Sequence, residues 1–364
     1  MPIKVLLVED SQIALAVLKR IINSSPDFTV VGEAHTGLEG LQLVPKVEPD
    51  VICTDLHMPV MDGLEFTSEV MTLHPKPILV ISVSVQEKDT HRVFQLLEAG
   101  AVDIFPKPPG GLALTDELLK RQLLNKIQIL SGVQVFRKKR KLSNLTARQR
   151  KKNYNYQKLE TNKLTTVSYP PSPKPKIVVI GASTGGPIVI QELFNQLPGD
   201  FPLPIICVQH ICSGFLQGLI DWLTGSCRLP IGMAKTGEKP LPGKIYFPLE
   251  QHHLELDANG QFVCSEEPFV DGHRPSVTVT FESVVKFYGR KTLGILLTGM
   301  GKDGARGLQA ISKAGGFTIA QDEATSVIFG MPKEAIELGA AKLILPASAI
   351  APTLLEIVTT SKTK

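Results

Sequence analysis

Apolar residues fall along this chain in short, mostly continuous runs, each closing on or within two residues of a glycine, a hydroxyl or a charged or ionisable residue. Runs at 3–8, 50–54, 78–81 and 101–105 occupy the first third, and runs at 177–180, 203–208 and 293–298 follow after a wide gap. They do not alternate with polar positions and are too short for buried helices. They therefore read as strands covered on both faces, as in parallel sheets. The fold class is α/β, with two doubly wound parallel sheets in succession. Between the two groups, Thr115-Asp116-Glu117 is a helix start and Ser131-Gly132 a helix end. Leu118, Leu119, Leu123, Ile127 and Leu130 are expected on the buried face of that helix.

Ligands of open parallel sheets gather past the carboxyl ends of the strands, so the residues closing each run are the candidate chemistry. In the first group these are Glu9 and Asp10, Asp55, Ser82 and Lys107. Three carboxylates converging on one edge repel one another unless a hard cation sits among them. Mg²⁺ fits such a set, with phosphate as its companion. In the second group the run ends are Gly181-Ala182-Ser183-Thr184-Gly185-Gly186, Cys207-Val208-Gln209-His210 and Thr298-Gly299-Met300-Gly301-Lys302-Asp303-Gly304. A Ser, a His and an Asp meeting at one edge make a nucleophile. The His takes the hydroxyl proton, and the Asp fixes the imidazole tautomer and stabilises its charge.

Composition sets limits on both groups. The chain has 364 residues, 43% hydrophobic and 20% charged, which suits two globular domains. No apolar run approaches a membrane span. The start Met1-Pro2-Ile3-Lys4 leads straight into a strand, and the expected location is cytoplasmic. Five cysteines, odd in number and without Cys-x-x-Cys spacing, read as reduced thiols rather than disulfides or zinc ligands. Residues 137–152 carry nine Lys or Arg and no acid, so the net +4 leaves −5 for the remainder. Pro170-Pro171-Ser172-Pro173-Lys174-Pro175 suits neither helix nor sheet, and a linker is expected over 132–176.

These residues carry a resemblance. Glu9-Asp10, the stretch from Asp55 through Pro59 to Asp62-Gly63, Ser82 and Phe105-Pro106-Lys107-Pro108 resemble the receiver domain of response regulators. The Ser183 and Asp303 segments, His210, His273-Arg274-Pro275-Ser276 and Phe329-Gly330-Met331-Pro332 resemble the catalytic domain of chemotaxis protein-glutamate methylesterases. The resemblance implies a receiver-type doubly wound domain over 1–131 and a doubly wound hydrolytic domain over 177–360. It implies that a histidine kinase phosphorylates Asp55, with Mg²⁺ held by Glu9, Asp10 and Asp55. It also implies demethylation, and often deamidation, of methyl-accepting chemotaxis receptors. Ester hydrolysis itself calls for no cofactor. The unphosphorylated receiver is expected to cover the catalytic cleft.

Each position has a plainer reading to be weighed. Asp55 alone would be a solvated cap, but it stands with the acidic pair, Ser82, expected to hydrogen-bond a phosphoryl oxygen, and Lys107, expected to pair with that group. Many receivers have an aromatic residue three positions before the Lys, and here that position is Ile104. Ser183 fits Gly-x-Ser-x-Gly, a nucleophile elbow. A dinucleotide loop would want glycine at Ser183, and the order Ser183, His210, Asp303 differs from that of α/β-hydrolases. His252, His253 and His273 are rival bases, and none directly follows a long apolar run. By resemblance His273 belongs to a structural or substrate-facing segment. Asp303 alone would cap a helix beginning near Gly304. The backbone N–H of Thr184 and, by resemblance, that of Met300 are the oxyanion donors. A DNA-binding effector is disfavoured because 137–152 lacks aromatic interleaving and a helix-turn-helix; no nucleic-acid partner and no membrane insertion are expected. A catalytically silent scaffold is the remaining alternative. The basic run offers a peripheral electrostatic contact with anionic membrane or acidic receptor segments.

Overall fold

The computed structural model describes residues 1–83, 90–108, 116–137 and 173–359. In the first domain β1 (Ile3–Val8), β2 (Phe28–Ala34), β3 (Val51–Thr54), β4 (Ile78–Ser82) and β5 (Asp103–Pro106) alternate with five helices. These are α1 (Gln12–Ile22), α2 (Gly37–Val47), α3 (Gly63–Leu73), α4 (Thr90–Ala99) and α5 (Glu117–Ser131). All strands are parallel, in the order β2-β1-β3-β4-β5. β3 and β4 are buried throughout, because helices cover both faces of the sheet. Ser11, Thr36, Asp62 and Asp116 start α1, α2, α3 and α5 by accepting hydrogen bonds from first-turn N–H groups.

α5 buries Leu123, Ile127 and Leu130, but Leu118 is exposed. At ~100° per residue Leu118 lies roughly 140° around the helix from Leu123, off the buried stripe. After the helix the chain stays on this domain. Val133 is buried, and Arg137 donates from Nη2 to the Leu73 carbonyl at 3.0 Å. Residues 132–137, expected as the start of the linker, thus lie against the first domain. The remainder of the basic run, 138–152, lies outside the described residues.

The second domain holds β6 (Ile177–Ala182), β7 (Ile205–Gln209), β8 (Ile231–Met233), β9 (Ile245–Phe247), β12 (Thr292–Leu296), β13 (Phe317–Gln321) and β14 (Leu343–Leu345) in one parallel sheet. An antiparallel pair, β10 (His253–Leu256) and β11 (Phe262–Ser265), stands apart from it. Its helices are α6 (Gly186–Asn195), α7 (Leu216–Thr224), α8 (Val277–Tyr288), α9 (Ala305–Lys313), α10 (Met331–Glu337) and α11 (Ala347–Thr359). The strand order β14-β13-β12-β6-β7-β9-β8 means that the chain leaves β6 toward β7 and later returns to place β12 on the other side. The order reverses between β6 and β12, which is where a doubly wound sheet opens a crevice. Gly181 in β6 permits close approach of α8, since a Cβ there would overlap Val277.

The domains pack together through α4. Phe94 stacks on Trp222 with ring centroids 5.3 Å apart. Trp222 Nε1 and Gln191 Nε2 each donate to Glu98 Oε1 at 3.1 Å. No helix among the described residues is long and apolar enough to cross a membrane.

Candidate active site and phosphoacceptor site

Ser183 follows β6 and His210 follows β7, on adjacent strand ends. The Ser183 N–H donates to the Thr298 carbonyl at 3.0 Å, and the His210 N–H donates to the Ala182 carbonyl at 2.9 Å. The buried Gln209 side chain donates to the carbonyls of both Ser183 and His210 at 2.8 Å. One amide therefore ties the candidate nucleophile to the candidate base. Gly185, at φ +77°, makes the turn from Ser183 into α6. Gly299 brings the β12 loop against the serine, and a Cβ there would stand 2.7 Å from Ser183 Cβ.

Asp303 is buried and does not cap α9. Its carboxylate sits instead on the N-terminus of α8. It accepts from the Val277 N–H at 2.7 Å, the Thr278 N–H at 2.9 Å, Ser276 Oγ at 2.7 Å and His210 Nε2 at 2.9 Å. Burial alone would raise its pKa, but the hydrogen bond and charge of His210 and the donors of Thr278 and Ser276 outweigh it. The carboxyl is held well below its ordinary range. The positive end of the α8 dipole acts in the same direction. An ionised carboxylate only accepts, so His210 Nε2 carries the hydrogen. In the neutral ring Nδ1 is then the lone pair, and it is buried without a hydrogen bond among the described residues. This reverses the common serine-protease arrangement, in which Nδ1 faces the acid. The structure brings Asp303 and His210 together and holds Ser183 beside them, with no hydrogen bond made between the Ser183 hydroxyl and the imidazole.

The Thr184 and Met300 N–H groups make no hydrogen bond among the described residues, so both are free to donate. Met300 is anchored by its neighbour Gly299, whose carbonyl accepts from Gly330 and Met331. Thr298 Oγ1 donates to the Thr184 carbonyl at 3.0 Å, so the elbow and the β12 loop are one unit. The rival histidines His252 and His253 are occupied. His253 bonds Pro268 and Ser276, and His252 bonds Glu250. His273 lies face to face with His210. Gln209, Ser276, Thr278 and Thr298 escaped the sequence reading. Gln209, Ser276 and Thr298 stand inside segments singled out there, but the partners that give them their roles, Ser183, Asp303 and Thr184, are far away along the chain.

In the first domain Lys107 Nζ lies 2.6 Å from Asp55 Oδ2 and 2.9 Å from Glu9 Oε2. Oxygens of Glu9, Asp10 and Asp55 lie within 4.8 Å of one another. Burial, and then the charge of Asp55, push the Glu9 carboxyl up against the opposing pull of Lys107. Glu9 Oε2 is buried at ion-pair distance from Lys107 but outside hydrogen-bonding geometry. An all-oxygen cluster with a buried oxygen left over suits a hard divalent cation. Ser82 is buried at the end of β4. The five cysteines are free; burial pushes the Cys53 thiol up to about 12.

The two sites are joined. Asp103, at the start of β5, accepts from Thr184 Oγ1 at 2.7 Å and pairs with Lys126 of α5 at 2.7 Å. Lys126 Nζ also reaches Thr184 Oγ1 at 3.5 Å. Ile104 is buried at the domain contact, its carbonyl 3.9 Å from Cys212 Sγ. A carboxylate of the first domain is thus hydrogen-bonded to the residue that follows the candidate nucleophile.

The family model of the CheB methylesterases matches residues 178–354, and that of the response regulator receiver domain matches residues 5–123. A protein-glutamate methylesterase/protein-glutamine glutaminase of Nitrosospira multiformis is 36% identical over 98% of this chain and 97% of its own length. One of Pseudomonas aeruginosa is 38% identical over 98% of this chain and 97% of its own length. The catalytic domain of a Thermotoga maritima CheB methylesterase is 41% identical with a TM-score of 0.49. That match covers 51% of this chain and all of the solved one.

Proposed function

We propose, from the premise that this chain belongs to the CheB methylesterase family, that Ser183, His210 and Asp303 carry out its hydrolysis of glutamate methyl esters on chemotaxis receptors. The observation that carries this reading is the Asp303 to His210 hydrogen bond at the switch point, one strand end from Ser183. His210 Nδ1 takes the proton as Ser183 Oγ attacks the ester carbonyl. The N–H groups of Thr184 and Met300 receive the negative oxygen. Collapse breaks the bond to the methoxy oxygen, which leaves as methanol with the proton from His210. Water then gives its proton to His210 and adds to the glutamyl-serine, and the serine departs reprotonated. With a glutamine side chain the same steps release ammonia, so deamidation belongs to the same site.

Regulation rests on Asp55. Its carboxylate takes a phosphoryl group from a histidine kinase of the chemotaxis type. Glu9, Asp10 and Asp55 would hold Mg²⁺, which would supply charge neutralisation at the transferring group. Lys107 pairs with the phosphoryl oxygens and Ser82 hydrogen-bonds one of them. Lys107 then loosens from Asp55, and β5 connects it over four residues to Asp103. The receiver leaves Thr184, and the cleft opens to substrate. With Ile104 in place of an aromatic, that transmission runs through the β5 backbone. The enzyme works in the cytoplasm on membrane-embedded receptors, and residues 137–152 serve first as a solvated, self-repelling linker between the domains, with peripheral electrostatic contact to an anionic surface as the alternative. Methanol release from methylated receptor fragments, with and without a small-molecule phosphodonor, tests the whole reading.

A further inference from the structure

His273 has no part in the mechanism above, yet its ring lies parallel to that of His210, with centroids 3.7 Å apart and planes inclined by 7°. Such a stack fixes the plane of the base while Nε2 is held by Asp303 and Nδ1 is left open. We infer that His273 is a positioning residue, a flat neutral platform that holds the His210 ring in line between Asp303 and Ser183 and stacks on it when it becomes an imidazolium. The inference rests on the reading of His210 as the base.

The loop that carries His273 is built to hold it. Val270 and His273 exchange backbone hydrogen bonds at 3.0 and 3.1 Å across a turn that includes Gly272 at φ +83°. Arg274 donates to the carbonyls of Glu266 and Glu267, and its guanidinium lies over the Phe269 ring at 4.7 Å. Asp271 is tied to Arg306 at 3.1 Å. Three residues after His273, Ser276, Val277 and Thr278 grip the Asp303 carboxylate. One loop thus clamps the acid and stacks on the base, so the two cannot drift apart.

The platform must be uncharged, because two imidazolium rings face to face repel. Burial, and then the charge of His210, push the His273 pKa down to about 3. Lys126 of the receiver adds to that effect, and Asp303 opposes it. At neutral pH the ring is a π face, and a cation over such a face gains the equivalent of a few-fold to roughly thirtyfold in equilibrium.

The test compares His273→Ala, His273→Leu and His273→Phe in the full chain with phosphodonor present, by initial rates of methanol release from a methylated receptor fragment. Thermal melting establishes that each variant is folded. The expected result is a kcat about tenfold lower for Ala and Leu with KM unchanged, and recovery to within about threefold of wild type for Phe, which restores the flat face without a nitrogen. If Phe is as slow as Ala, a ring nitrogen rather than the face is needed and the inference falls. If Leu recovers as well as Phe, filling of space is the role and the inference falls. Retained turnover in His210→Ala would instead remove the base reading itself, and the platform with it.

Discussion

Asp303 and Asp55 both stand past the carboxyl ends of buried parallel strands, and they have been given opposite environments. Asp303 accepts four hydrogen bonds, from a helix N-terminus, a hydroxyl and an imidazole. A carboxylate saturated with donors is a fixed negative charge and a poor nucleophile. Among the described residues Asp55 has one backbone donor, Leu56 N–H at 2.6 Å, and one ammonium, and two acids crowd it. Such a carboxylate is left needing a cation and open to a phosphoryl group. In the proposed roles, the same side chain at the same place in the same kind of sheet would orient a base in one domain and receive phosphate in the other. Counting donors distinguishes the two roles.

The contrast can be broken most severely on the catalytic side. Ser183→Ala should lower turnover by ~10⁶, and the double variant with His210→Gln should be barely slower than the single one. Multiplicative losses in methanol release would show that the residues do not act as a unit. Asp303→Asn, which offers an amide where the imidazole needs an acceptor, should cost ~10⁴ in kcat through the wrong tautomer. It should also remove part of the acid lability of the fold. The carboxyl is depressed in the folded protein, so its contribution is present above about pH 4 and lost as pH falls below that value. The difference between melts of the wild type and the variant should narrow as pH falls from 5 to 3.

Asp55→Asn should leave the unstimulated rate intact and bring stimulation by phosphodonor and Mg²⁺ to a ratio of one. Stimulation that survived would move the phosphoacceptor elsewhere. Asp103→Ala, which removes the receiver's hydrogen bond to Thr184, should raise the basal rate roughly tenfold to a hundredfold, the worth of one hydrogen bond to a charged group. A basal rate no higher than wild type would mean that this contact does not restrain the enzyme. The smallest effect concerns His273, whose pKa is pushed down to about 3. As pH falls below about 6.5 the unfolded chain takes up a proton that the folded one refuses, and stability is lost toward pH 3. His273→Phe should therefore lose less melting temperature than the wild type between pH 7 and 4.5.

Much of this was legible because strands in a doubly wound fold announce themselves as apolar runs, and function gathers where they stop. Glu9, Asp10, Asp55, Ser82 and Lys107, and equally Ser183 and His210, are each the residue at or just past such an end. Asp303 was legible as a candidate acid from the glycines before it, but the helix that holds its carboxylate was not. Asp303 grips α8, whose N-terminus arrives from 26 residues upstream. Leu118 was assigned to the wrong face because a leucine-rich segment looks amphipathic in more than one phase.

Which elements form and which chemistry stands at their ends follow from the chain read residue by residue, because burial periodicity and residue type are local properties. Which nitrogen of His210 faces Asp303, the stacking of His273 on that ring, and the reach of Asp103 in one domain to Thr184 of the other, 81 residues away, come from the packed fold alone. Those depend on strand order, on the reversal between β6 and β12, and on the packing of two domains. They are long-range contacts that leave no periodic trace in the sequence.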